Sequence, residues 1–337
     1  MIKKFIFAAA AFFCFSCFIY TYNLTQHELP TESTQAELYA NQNHDDLKAT
    51  IIESIRNAKT SVLLIIFTLK DPDVIEELRR KSESGVSVTV ICDAKASREA
   101  KEGLGIKVNL LRRFSEGHMH PKILVADHKQ IWIGSANMTT DSLKHHANLI
   151  TGVESQEFAA HIWAYANSLK EYGRDNNCSY CDTEVNGQRM EMSFLPGDHQ
   201  GKERIKQMLQ SAQKTIRVGM FTFTRFDFAR ELIHAKNRGV SVEVAMDRGM
   251  SKGAGSKIAA LLKKEGISLR LNDGKHLFHH KFAYIDSNCL INGSANWTKA
   301  AFTQNDDCFI ILHNLTERQV AQMESLWQGI VQETKTE

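Results

Sequence analysis

Two sets of residues of the same types at the same spacings carry the chemistry of this chain. The first is His120, Lys122, Asp127, Ser135 and Asn137; the second is His279, Lys281, Asp286, Ser294 and Asn296. Both fit H-x-K-x(4)-D-x(6)-G-S-x-N without a gap. A lone His-x-Lys is common by accident, but two copies with the same downstream residues are not. Side chains two apart on a strand share a face, so each histidine can meet a ligand together with its lysine, while Pro121 and His280 point away. Ser135 and Asn137, like Ser294 and Asn296, repeat that spacing after a glycine that lets backbones approach closely. Face to face, the two sets enclose an anion with imidazoles, ammonium groups, hydroxyls and amides.

Such a set suits attack on a phosphodiester. Charge develops on the non-bridging oxygens, and fixed donors aimed at them supply the largest stabilisation. Lys122, Lys281, Asn137 and Asn296 fill that role, with Ser135 and Ser294 as helpers in binding the phosphate. Histidine titrates near neutrality, so one ring can attack phosphorus while the other protonates the leaving group. Water then hydrolyses the phosphohistidine. Asp127 and Asp286 complete the motif and are grouped with the catalytic set. Their odd spacing from the histidines turns them to the opposite side of a strand, so they read as supporting carboxylates; a turn-forming role fits equally well.

The elements that must position these groups are themselves duplicated. Gly85 to Asp93 answers to Gly239 to Asp247, and Ile66-Phe67-Thr68 to Met220-Phe221-Thr222. The motifs sit at a slightly larger offset, which places a short insertion in the second half around Gly249 to Gly255. Each half reads as helix, buried strand, helix, strand, then two strands that carry the motif, and a closing helix. The predicted class is α/β: two tandem domains, each a mixed sheet flanked by helices, related by a pseudo-twofold axis. The expected boundaries are 1–24 as export signal or membrane anchor, 25–46 as polar tether, 47–171 as first domain, 172–201 as linker and 202–335 as second domain.

The duplicated motif resembles that of the phospholipase D superfamily, and the likeness runs from Leu47 to the final helix. The stretch from His279 to Asp286, with Gly293-Ser294-Ala295-Asn296-Trp297-Thr298, is most similar to a compact branch that includes bacterial endonucleases and mitochondrial cardiolipin hydrolases. This resemblance implies a covalent phosphohistidine, no metal and no cofactor. It also implies that His120 is the nucleophile and His279 the general acid. Family members often place a carboxylate beyond the Gly-Ser-x-Asn segment to orient a histidine. The second half offers Asn305-Asp306-Asp307 there, whereas the first has His145-His146-Ala147-Asn148, with no acid.

Net charge is +2, without the basic surplus of a dedicated nucleic-acid binder. Lys3 and Lys4 precede an uncharged run from Phe5 to Tyr20, the pattern of an export signal, with retention as an anchor and lipidation at Cys17 left open. These features favour a membrane phospholipid substrate, with nucleic acid as the alternative. A non-catalytic binding protein is disfavoured because both His-Lys pairs are intact. Both motifs lie in one chain, which predicts a functional monomer. Cys178 and Cys181 are expected to form a local disulfide, and Cys92, Cys289 and Cys308 to be buried hydrophobes. His118 and His276 are placed at the mouth of the pocket; His145, His146, His161 and His234 are read as solvated or satisfied.

Overall fold

The computed structural model describes residues 29–31, 33–175 and 179–337. The segment expected to direct export, with Cys17, lies outside the described residues, as does Cys178 and hence the predicted disulfide. No helix among the described residues is long and apolar enough to cross a membrane.

Two sheets carry the two halves. The first contains β1 (Glu37–Ala40), β2 (Ser61–Ile66), β3 (Ser87–Asp93), β4 (Asn109–Arg113), β5 (Lys122–Ala126), β6 (Gln130–Gly134) and β7 (Leu149–Glu154), in the order β1-β7-β6-β5-β2-β3-β4. The second contains β8 (Tyr180–Val185), β9 (Gln188–Leu195), β10 (Thr215–Met220), β11 (Ser241–Met246), β12 (Ser268–Asn272), β13 (Lys281–Ile285), β14 (Cys289–Gly293), β15 (Asp307–Leu312) and β16 (Thr334–Thr336), in the order β16-β12-β11-β10-β13-β14-β15-β9-β8. In each sheet three strands run parallel (β2, β3, β4; β10, β11, β12) and the motif strands are antiparallel. The runs Ser61–Ile66 and Asp307–Leu312 are buried throughout, as continuous apolar strands covered on both faces should be.

Two expected boundaries are corrected. Residues 37–40 of the supposed tether are β1, which pairs antiparallel with β7. Residues 180–195 of the supposed linker form a hairpin whose second strand pairs antiparallel with β15. Since β7 and β15 are equivalent, β1 and β9 are the same element of the repeat. Each half therefore begins one strand earlier than its apolar periodicity suggests. The expected insertion is real: the second half has helices Arg248–Lys252 and Ser256–Lys264 where the first has only Ala100–Leu104.

One apolar core joins the halves. It takes Leu63, Ile123, Val153, Phe158 and Tyr165 from the first half, and Phe194, Phe282, Tyr284, Ile310 and Trp327 from the second. Trp132 is buried in a separate core of the first half and donates to Ser54 Oγ at 2.7 Å. Trp297 and Phe278 are buried as well, so packing accounts for these aromatics beside the motifs.

Candidate active site

The motif histidines stand two residues before β5 and β13, and the Gly-Ser-x-Asn turns leave the ends of β6 and β14. Antiparallel pairing of β5 with β6, and of β13 with β14, brings the two ends of each motif together. Gly134 and Gly293 permit close contact with the next strand. A Cβ at Gly134 would lie 2.2 Å from the Leu149 carbonyl oxygen, and one at Gly293 2.5 Å from that of Cys308.

The halves meet at the histidines themselves. His120 N–H donates to Asp306 O at 2.8 Å, and Asp306 N–H to His118 O at 2.9 Å. The symmetric bonds run from His279 N–H to Ala147 O and from Ala147 N–H to Leu277 O, each 2.9 Å. This reciprocity is the predicted pseudo-twofold axis, and it puts both imidazoles in one site. Lys281 accordingly acts on the His120 ring, and Lys122 on that of His279.

Each imidazole is held by the opposite half. His120 Nδ1 lies 3.1 and 3.2 Å from the two carboxylate oxygens of Asp307, and His279 Nδ1 lies 3.1 Å from Asn148 Oδ1. Asn148 Nδ2 donates to the carbonyls of Ser142 and His146, so its oxygen must be the atom facing the ring. Both Nδ1 atoms therefore carry hydrogen, and both Nε2 atoms are left for chemistry. Phe67 and Phe221 pack against the rings, with centroids 5.2 and 4.9 Å away. The ring of His146, read as solvated or satisfied, has its centroid 6.5 Å from that of His279.

Lys122 and Lys281 are buried, and their ammonium groups donate to the His120 and His279 carbonyls at 2.5 and 2.7 Å. Burial pushes the Lys122 ammonium down to about 7, against the opposing pull of Asp307. Lys281 is held well below the usual lysine range by burial and then by Lys122. Burial, followed by Lys122, lowers His120 to about 4. His279 is lowered well below its ordinary value by burial and by Lys281. Burial raises the Asp307 carboxyl, but His120, Lys122 and Ser294 outweigh it and keep the group ionised. Burial thus keeps both imidazoles neutral and presses both lysines towards their neutral forms, so an anion among them would favour their charged forms.

The two motif serines take places other than those predicted, and the two motif aspartates take the turn role that their spacing allowed rather than a catalytic one. Ser135 Oγ donates to Asn148 Oδ1 at 2.8 Å, and Ser294 Oγ to Asp307. Both hydroxyls are fully buried and support the groups that orient the histidines rather than a phosphate. Asp127 accepts from the backbone N–H groups of Lys59, Thr60 and Ser61, and Asp286 from those of Gln213, Lys214 and Thr215. They tie the β5–β6 and β13–β14 turns, with φ of 53° and 54°, to the starts of β2 and β10, at the far ends of the strands from the histidines. Asn296 Oδ1 accepts from Thr222 N–H at 3.1 Å, which leaves its NH₂ group available; Asn137 Oδ1 is buried without a partner among the described residues.

The sequence offers Asp307 as one of three candidates, and it shows Asn148 only as part of a stretch without an acid; neither is assigned to a ring by sequence. Phe67 and Phe221 were visible only as markers of the repeat.

The model for "Cardiolipin synthase, PLD-like domain" matches this chain twice, over residues 51–170 and 205–327. The mitochondrial cardiolipin hydrolase of Danio rerio is 38% identical over 120 residues, which cover 35% of this chain and 52% of that protein. That of Chlamydomonas reinhardtii is 33% identical over 126 residues, 37% of this chain and 56% of the relative. The match therefore spans little more than half the length of these relatives. The crystal structure of phosphatidylserine synthase from Haemophilus influenzae Rd KW20 superposes with a TM-score of 0.69 at 16% identity, covering 92% of this chain and 89% of that one. It shares the two-half fold. Family matches over both halves, each centred on an intact His-x-Lys motif, show that the chain belongs to the phospholipase D superfamily.

Proposed function

We propose that this protein is a phosphodiesterase that hydrolyses glycerophospholipids through a phosphohistidine, without a metal. The observation that carries this reading is the crossed pairing at the site: His120 with a carboxylate, His279 with an amide. Neutral His120 attacks phosphorus through Nε2 while the bond to the leaving oxygen breaks. The new P–N bond leaves the ring cationic, a charge that the Asp307 carboxylate stabilises. His279 donates its Nε2 proton to the departing alkoxide, and its uncharged partner Asn148 makes that proton easier to release. Lys122 and Lys281, with the amides of Asn137 and Asn296, neutralise the phosphoryl oxygens. Burial and the two lysines resist protonation of His279; a diester anion offsets the lysines and lets the proton enter with the substrate. Water then gives a proton to His279 and displaces the histidine, releasing phosphatidic acid.

A lipid substrate is supported by the surface around the site. Of four large apolar side chains exposed among the described residues, three (Tyr172, Phe226 and Leu277) lie at the site end of the sheets. Tyr172 stacks on Phe114 directly after β4, Leu277 precedes Phe278 and His279, and Phe226 follows the loop after β10. Aromatic and aliphatic groups around a catalytic opening suit a membrane interface. The relatives named cardiolipin hydrolases agree with this reading. Both histidines come from one chain, so we take the monomer as the working unit. The basic and apolar N-terminal sequence fits export to the cell envelope.

The test uses acyl-labelled phospholipid vesicles in EDTA, quenched in mid-turnover. Label should remain on wild-type protein and on His279→Asn, where it accumulates, but not on His120→Asn. Label on His279 in the wild type would reverse the two roles. Cleavage of single-stranded DNA in preference to any phospholipid would replace the lipid reading with a nuclease.

A further inference from the structure

On the proposed reaction, on which this inference rests, His279 takes up a proton each time a diester binds and gives it back when the product leaves. The groups that touch its ring cannot carry that proton. Nδ1 is held at 3.1 Å by Asn148 Oδ1, which has no proton to give, and Phe221 packs on the ring with centroids 4.9 Å apart. Lys122 and Lys281 are turned to backbone carbonyls and the phosphoryl oxygens, and Nε2 of His120 is reserved for phosphorus. His279 is only 6% exposed, and a substrate over the site removes what remains.

A third imidazole stands between this ring and solvent. His146 is half-buried, with its centroid 6.5 Å from that of His279 and the two planes tilted by 50°. That spacing is too long for a direct hydrogen bond and suits one bridging water. The residue is fixed by its N–H, which donates to Asp141 O in helix Thr140–Lys144 at 2.9 Å. Further out, exposed His145 stacks on exposed His276 of the other half, with centroids 5.3 Å apart. The titratable groups that face His146 are Asp141 of that helix, His145, His276 of the loop before β13, Lys281 of β13 and His279 itself. Burial, joined by His276, His145 and Lys281, outweighs Asp141 and holds His146 below its ordinary value. Among the described residues around His279 it alone can both accept and donate a proton at neutral pH while reaching solvent.

The repeat supplies the comparison. The reciprocal backbone bonds make Ala147 equivalent to Asp306, so His146 is equivalent to Asn305. Asn305 Oδ1 accepts from His118 N–H at 3.0 Å, and its amide does not titrate. An imidazole therefore stands beside the acid, which must exchange a proton, and an amide on the side of the nucleophile, which need not. We propose that His146 relays protons between solvent and His279. As the diester binds, the bridging water gives a proton to His279 Nε2 and takes one from His146, which bulk water reprotonates. His279 passes its proton to the leaving alkoxide, regains one from the attacking water, and returns it outwards by the same route as the product leaves.

The test follows the full chain on phosphatidylglycerol in mixed micelles, across pH and with rising concentrations of free imidazole in an inert buffer. His146→Gln keeps a polar side chain that cannot titrate. Its kcat should fall about tenfold, against roughly 10²–10⁴ for loss of the acid itself, with KM little altered. Free imidazole should restore that loss saturably and leave wild type unchanged. The alkaline limb of the variant's kcat–pH profile should move to lower pH, because water alone then supplies the proton. A merely electrostatic neighbour predicts no such move, since burial keeps His146 neutral in that range. An unchanged kcat, or a loss that imidazole does not restore and that leaves the limb in place, would overturn the relay while leaving the lipid reading intact. If wild type cleaves a single-stranded oligonucleotide but not the lipid, the lipid reading fails, and imidazole rescue of His146→Gln on the oligonucleotide still upholds the relay. Cleavage of neither would overturn both.

Discussion

Asp307 and Asn148 occupy equivalent places in the repeat and hold the two rings by a carboxylate and an amide, and on the proposed reaction that difference divides the labour between the histidines. Asp307→Asn should slow formation of the phosphoenzyme by about 10²-fold or more, the scale of lost acid–base assistance, in rapid-quench measurements. Asn148→Asp places an anion beside His279 and raises its affinity for a proton. The alkaline limb of the kcat–pH profile should move to higher pH; an unmoved limb would argue against His279 as the acid. His280, the middle residue of the second motif, faces away from the site as its spacing predicted. It lies against Phe278 and Phe282, with Nε2 3.1 Å from Gln42 Oε1, and burial lowers it to about 3. The unfolded chain therefore takes up a proton near pH 6.5 that the folded chain refuses. Stability is full above that pH and falls as pH drops towards 3. Between pH 6.5 and 5 this one group contributes a loss of about 2 kcal/mol, and His280→Gln should flatten that slope in urea titrations. The histidines, lysines and motif spacing were legible because they are local in sequence. The partner of each ring was not, since His120 and Asp307 are brought together only by the meeting of two domains. The serines misled because a hydroxyl two residues from an amide looks the same whether it faces a ligand or a neighbouring side chain.

At the scale of elements, the duplicated helices and strands of the apolar periodicity are present with boundaries shifted by a few residues. The repeat unit itself was cut short, because β1 and β9 do not share a pattern. β1 is only four residues long and follows polar sequence; β9 lies among Gly, Asn and Asp and alternates with charge. Only their common partner strand reveals them as one element. Turn chemistry also explains the spacing of the motif aspartates. Asp127 and Asp286 are strictly spaced because each must collect three backbone N–H groups from the turn that starts the central strand. Asp127→Ala should lower unfolding free energy by about 1–3 kcal/mol through those orphaned donors, with kcat close to wild type on a soluble diester. Loss of turnover without loss of stability would return Asp127 to the chemistry. The motif glycines govern the strands in the opposite sense. Gly134→Ala must push β7 away from β6, and Asn148 with it, so both Tm and kcat should drop.

In the whole molecule the halves are joined by chemistry as well as by a shared core. Arg113, at the end of β4, pairs with Asp306 at 2.6 Å, buried on both sides, and also donates to the carbonyls of Lys170 and Gly173. The equivalent positions in the other half are Asn272 and Ala147, so this clamp exists once. Arg174 stands 3.7 Å from the same carboxylate and compensates only in part, so Arg113→Met should cost up to about 3–5 kcal/mol in denaturant unfolding. The crossed pairing of histidines has a consequence in time. A ribosome makes His120 long before it makes Asp307, and β15, which carries that carboxylate, is among the last strands to emerge. A nascent chain already presenting a folded first half has a nucleophile with no carboxylate and a lysine with no opposite number. On the proposed reaction, the site is thus completed only when synthesis reaches β15. Chains stopped before Asp307 should be inert even towards activated diesters, and adding the missing half as a separate polypeptide should restore turnover in proportion to its binding.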